Sequence, residues 1–75
     1  MAGQLPVLSG SQIRRAFEKD GWEFSRQRGS HMILVKEGSM ATLSVPNHKE
    51  VARGTLRSLI RASGLTVDEF LNLLD

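Results

Sequence analysis

The sequence predicts an α+β fold: a helix, a three-stranded antiparallel meander, a second helix and a short C-terminal helix. Three observations carry this. An amphipathic segment with a capping signal comes first, hydrophobic alternation then switches to a period of two across three runs separated by glycine turns, and helical spacing returns after a proline.

The first helix starts in Leu8-Ser9-Gly10-Ser11-Gln12-Ile13. Ser9 is the cap, Gln12 three residues later is its capping-box partner, and Leu8 is placed to staple onto Ile13. The helix runs to about Asp20. Ile13, Ala16 and Phe17 form its apolar stripe, Arg14, Arg15, Glu18 and Lys19 face water, and Gly21 can take the left-handed conformation that ends it.

From Trp22 the pattern alternates, with Trp22, Phe24 and Arg26 against Glu23, Ser25 and Gln27. Arg28-Gly29 makes a turn, Ser30 to Glu37 is a second strand, Gly38-Ser39 is a Gly-first hairpin loop, and Met40 to Val45 is a third strand stopped by Pro46. A polar stretch, Asn47 to Arg53, leads to a helix that starts near Gly54 or Thr55. It turns Leu56, Leu59 and Ile60 inward, with Arg57 and Arg61 outward, and Gly64 closes it. Thr66 to Glu69 is a second capping box, with Leu65 and Phe70 as its staple, opening a last helix with Phe70, Leu71 and Leu74 on one side.

A meander with a helix before and after it packs most simply as two layers, both main helices on one sheet face. That is the arrangement of the double-stranded-RNA-binding fold. If both hairpin loops have two residues, Trp22 lies opposite Val35, Phe24 opposite Ile33 and Arg26 opposite His31. Met32, Leu34, Leu43 and Val45 then share the other face, so both faces carry apolar side chains. If the His31 face is core, His31 sits at its rim; if it is open, His31 and two aromatics make a surface on which bases could stack. A bulge at Gly29 would shift this register.

The whole chain, residues 1–75, reads as one domain with an irregular N-terminus over 1–8 and the extra short helix over 66–74. There are no cysteines, so packing or a partner must hold the fold. No apolar run approaches the roughly 20 residues needed to span a bilayer, and Met1 to Leu8 lacks the features of a signal peptide. The chain reads as cytoplasmic, with no membrane partner. Its net charge of +2 hides an asymmetry. Ten basic residues against five acidic ones lie between Arg14 and Arg61, a balance of +5, while Asp68, Glu69 and Asp75 follow. A basic body suits a polyphosphate partner, and it equally suits an ordinary solvated surface.

His31 is the most suggestive ionisable group, because imidazole titrates near neutrality without special help and Gly29-Ser30 places it at a hairpin mouth. Spacing alone fits a hydrogen-bonded structural histidine as well. His48, beside Lys49 in the polar connection, reads as a surface residue. Two histidines 17 positions apart with no cysteine match no zinc or magnesium ligand set, so neither a metal nor another cofactor is expected. Ser30 adjoins His31, but consecutive strand residues point to opposite faces, which argues against a hydrolase triad. RNA supplies its own nucleophile, the 2′-hydroxyl. One histidine in a cationic groove could take its proton, with Arg26, Arg28, Lys36 or Lys49 stabilising the phosphorane charge. DNA lacks that hydroxyl, so it could bind by charge but would not be cut, and it is not expected as a partner by itself.

Gly21-Trp22, Arg26-Gln27-Arg28-Gly29-Ser30-His31, Val45-Pro46 with His48, Gly54-Thr55-Leu56-Arg57-Ser58-Leu59-Ile60 and Gly64-Leu65 occur in this order. Together, over about residues 9 to 65, they resemble the HicA, or YcfA-like, family of mRNA interferase toxins of type II toxin–antitoxin systems. The resemblance implies a double-stranded-RNA-binding-like fold, translation-independent mRNA cleavage, and a cognate HicB antitoxin that covers the active site. The family's catalytic histidine, in its Gly-Ser-His motif, carries onto His31. No catalytic role carries onto His48. The short turn Glu37-Gly38-Ser39 departs from relatives that insert more residues, and the acidic helix from Thr66 is a variable end that reads as packing or partner contact.

The expected function is therefore a metal-independent endoribonuclease toxin. His31 is its acid or base, Arg26 and Arg28 lie near the phosphate, and Lys36, Lys49, Arg53 and Arg57 are further phosphate-binding candidates. Two rivals are a non-catalytic RNA-binding module of the same fold and a protein-interaction domain whose second apolar face serves its partner.

Overall fold

In the computed structural model, which describes residues 5–74, the element order is α1 (Gly10–Lys19), β1 (Glu23–Arg28), β2 (His31–Val35), β3 (Leu43–Pro46), α2 (Arg53–Ser63) and α3 (Val67–Leu71). The strands form one antiparallel sheet in the order β1-β2-β3. Both main helices cover the same sheet face. Ile13, Ala16 and Phe17 of α1, Leu56, Leu59 and Ile60 of α2, and Met32, Leu34, Leu43 and Val45 of the sheet belong to one buried cluster. This is the α+β, double-stranded-RNA-binding-like arrangement that the hydrophobic periods predict.

The capping signals act as their chemistry requires. Ser9 accepts from the Gln12 amide while the Gln12 side chain accepts from Ser9, and Thr66 and Glu69 repeat the exchange at α3. Gly64 ends α2 with φ +84°, a left-handed conformation that favours glycine. The second helix begins at Arg53, slightly earlier than expected, and Ala52 at its start provides no side-chain cap. The last helix is shorter than residues 66–74, yet Phe70 is fully buried and its ring lies 5.1 Å from that of Phe17.

The first hairpin departs from the expected register. Arg28 pairs with His31, Gln27 with Met32, Arg26 with Ile33, Phe24 with Leu34 and Glu23 with Val35, with a shift between Phe24 and Arg26. The turn is Gly29-Ser30, not Arg28-Gly29, and Gly29 takes φ +57°, the positive value that a Gly-first two-residue loop needs at its first position. Ser25 is the extra residue. Strict alternation would leave Phe24 on the same face as Arg26 and Arg28, one wanting the core and two wanting water. A bulge removes the conflict by turning Phe24 towards the helices and both arginines away from them. Trp22, just before the strand, is buried, and its ring meets the edge of Phe17.

The second hairpin keeps the expected register, Met32 with Val45 and Leu34 with Leu43, although β3 is confined to Leu43–Pro46 and pairing stops before Gly38. Pro46 ends the strand instead of following it, which an edge strand tolerates. The N-terminal segment also contributes more than an irregular lead-in. Leu5 is buried, and Leu8 bridges to Val51, accepting its amide N–H at 2.8 Å. The expectation for residues 1–4 lies outside the described residues.

Candidate functional site

The sheet face turned away from the helices is a grid set by the pairing. Arg28, His31 and Pro46 form one row across the strands, and Arg26, Ile33 and Ser44 form the next. Directly paired residues have Cβ atoms about 5 Å apart. Arg26, Arg28, Gly29, His31, Ile33, Thr42 and Ser44 line an open groove on this face. His31 is exposed at its centre, at the first position of β2, and the two arginines form the β1 side. Among the described residues, no side chain forms a hydrogen bond or ion pair with Arg26, Arg28 or His31. All three are exposed.

His31 is held from several directions through backbone. The Asn47 amide donates to the Ser30 carbonyl at 2.7 Å, closing the hairpin end against the segment after β3. The Gly10 amide at the start of α1 donates to the His48 carbonyl at 2.9 Å. Helix start, polar connection and histidine hairpin are thus linked in series. A Cβ at Gly10 would collide with the Pro46 carbonyl, so only glycine permits this approach.

The other cationic candidates are placed differently. Lys36 points to the helix side, where its ammonium lies 3.1 Å from Asp20 Oδ2 and 5.9 Å from the Trp22 ring centroid. Its parity explains this, since Lys36 follows Val35 and alternates away from the His31 face. Arg53 Nε donates to the Leu5 carbonyl at 2.6 Å, tying down the N-terminal segment. Arg57 lies beside Arg61, Leu65 and Val67, where α2 meets α3. Lys49 is exposed in the connection that follows Asn47, beyond the His31 end of the sheet. Of the six, the structure brings only Arg26 and Arg28 into the groove with His31.

Two expectations about this face are corrected by the bulge. His31 does not share it with Trp22 and Phe24. Trp22 is in the core, and Phe24 lies under the Arg14 guanidinium, 4.4 Å from its ring centroid. The aromatic stacking platform is therefore absent. Ile33 stays on the His31 face, as the expected register had it, whereas Thr42 and Ser44 are groove residues that the sequence pattern was not read to give. The alternation of Thr42 and Ser44 with Leu43 and Val45 was the signal that could have found them. Among the described residues, no group of three His, Cys, Asp or Glu side chains is placed to hold a metal ion, and no helix is long and apolar enough to cross a membrane.

Comparison with family models matches residues 10–65, about three quarters of the chain, to the HicA toxin of bacterial toxin-antitoxin. The chain belongs to the HicA toxin family. The resemblance carried by the Gly-Ser-His and Gly-Thr-Leu-Arg-Ser segments is thereby borne out. HicA chains are ribonuclease-type toxins, and membership implies an antitoxin partner. No curated protein matches the chain. The HicA match ends at residue 65, before α3, although Phe70 of that helix is built into the core.

Proposed function

We propose that this HicA-family toxin is a metal-independent endoribonuclease that cuts mRNA, with His31 as its acid/base residue. The observation that carries the reading is the row in which exposed His31 stands directly opposite Arg28, with Arg26 in the row beside it. The imidazole accepts the proton of an RNA 2′-hydroxyl, and the 2′-oxygen attacks the adjacent phosphorus. The P–O5′ bond breaks, and the 5′-oxygen takes a proton from solvent water. The products are a 2′,3′-cyclic phosphate and a 5′-hydroxyl. Arg26 and Arg28 donate to the phosphoryl oxygens as negative charge accumulates there.

His31→Ala should abolish RNA cleavage and growth arrest while leaving the fold and antitoxin binding intact. Cleavage should persist in EDTA and stop when the nucleotide carrying the attacking hydroxyl is 2′-deoxy. Full cleavage by the His31→Ala variant, or complete loss in EDTA, would overturn the reading. RNA that is bound with a salt dependence but left whole by the wild-type chain would favour a binding module. A HicB-type antitoxin is the partner proposed to cover the groove, in the cytoplasm. Arg28→Ala should then weaken both RNA cleavage and antitoxin binding.

A further inference from the structure

The groove is unevenly built. Both outward residues on its β1 side are arginines, its β3 side offers the hydroxyls of Ser44 and Thr42, and its centre holds His31 and Ile33. Ile33 is the unusual one. It is only 7% exposed, yet it lies on the outward face and outside the core cluster that contains its neighbours Met32 and Leu34. Two residues along a strand span about 6.6 Å, so Ile33 forms an apolar floor one step from the histidine. Arg26 flanks it on one side and Ser44 on the other.

We infer that Ile33, Ser44 and Thr42 form a nucleobase subsite that takes one unpaired nucleotide bordering the cleaved phosphate. The inference rests on the ribonuclease reading above. A nucleobase has an apolar face and a polar edge. Its face lies over Ile33 and its edge meets the Ser44 and Thr42 hydroxyls, while its sugar–phosphate lies towards the arginine side, where the groove's cations are. A hydroxyl both donates and accepts, so the subsite takes more than one base with graded preference. A base within a duplex has its face covered by neighbours and its pairing edge occupied, so the subsite selects unpaired RNA.

The test uses the full chain and short RNA oligonucleotides containing one cleavage site. In a matched set, the nucleotide on either side of the scissile phosphate is replaced by an abasic one that keeps its 2′-hydroxyl. At one of those positions, loss of the base should lower wild-type kcat/KM about tenfold. Ile33→Ala should lower cleavage of the intact RNA by a similar factor and leave the abasic RNA unaffected. Ser44→Ala should change the ranking of the four bases at that position, again without effect on the abasic RNA. Circular dichroism checks that each variant folds; if Ile33→Ala does not, the Ser44→Ala comparison decides. Equal losses on intact and abasic RNA, or indifference of the wild type to both abasic replacements, would overturn the subsite and leave the ribonuclease reading standing. A wild-type chain that cuts no RNA would overturn both.

Discussion

At the scale of single residues, cations of the same type have different tasks because parity and partners differ. Arg26 and Arg28 line the groove, whereas Lys36 is paired with Asp20 on the helix side. Lys36→Ala should leave RNA cleavage unchanged. The pair is partly exposed, with side-chain exposures of 35% and 23%, so its loss should cost at most about 1 kcal/mol in a denaturant titration. Arg26→Ala should lower cleavage by about a hundredfold, the scale of losing one donor to a developing oxyanion. It should also flatten the salt dependence of single-stranded RNA affinity by about 0.7 in log–log slope. Equal effects of the two substitutions would contradict the placement. Gly10 has a role of another kind. Gly10→Ala pushes a methyl group into the Pro46 carbonyl, and overpacking of this sort costs about 1–3 kcal/mol, measurable as a lowered Tm.

At the scale of elements, the bulged strand β1 decides what the sheet can present. It sends Trp22 and Phe24 to the helix side, so the emission of the single tryptophan should not change when RNA binds. Quenching of Trp22 by RNA would mean that an aromatic face is the binding surface. Most elements were legible in the sequence because each carries local signals: Ser9 with Gln12, Thr66 with Glu69, Gly64 after Arg61-Ala62-Ser63, and the polar-apolar alternation of β3. The second hairpin's register was legible because its loop glycine and its alternation agree. The first hairpin's was not, because an uninterrupted period of two is as regular on paper as a bulged one. Only the competing demands of Phe24 and Arg26 distinguish them, and those demands become forces when the helices are present. His31 was legible as a residue, while its neighbours on β3 depended on sheet pairing.

At the scale of the whole molecule, the core extends past the segment that carries the family match. Phe70 is fully buried against Phe17, with Leu71, Leu73 and Leu74 partly buried around the cluster. Phe→Ala substitutions at such sites cost about 3–5 kcal/mol. A domain of this size has only about 3–5 kcal/mol to lose. Phe70→Ala, or removal of residues 66–75, should therefore leave a chain that is largely unfolded at 25 °C by circular dichroism, with toxicity lost despite an intact groove sequence. A folded, active truncation would show that α3 is dispensable. Leu5, fixed through its carbonyl to Arg53, is buried in the same core. Packing at both ends of the chain sustains a face that itself contributes little to cohesion.

The unpaired residue in β1 also makes the chain tolerant of one particular length change. Removing a codon from a strand ordinarily exchanges inside for outside along everything beyond it. Deleting Ser25 should not, because the shortened strand regains plain alternation with Phe24 still inward and Arg26 and Arg28 still outward. Deleting Arg26 instead gives a strand of the same length whose only difference is serine in place of that arginine. The two single-codon deletions therefore separate the reading frame of the strand from the charge it carries.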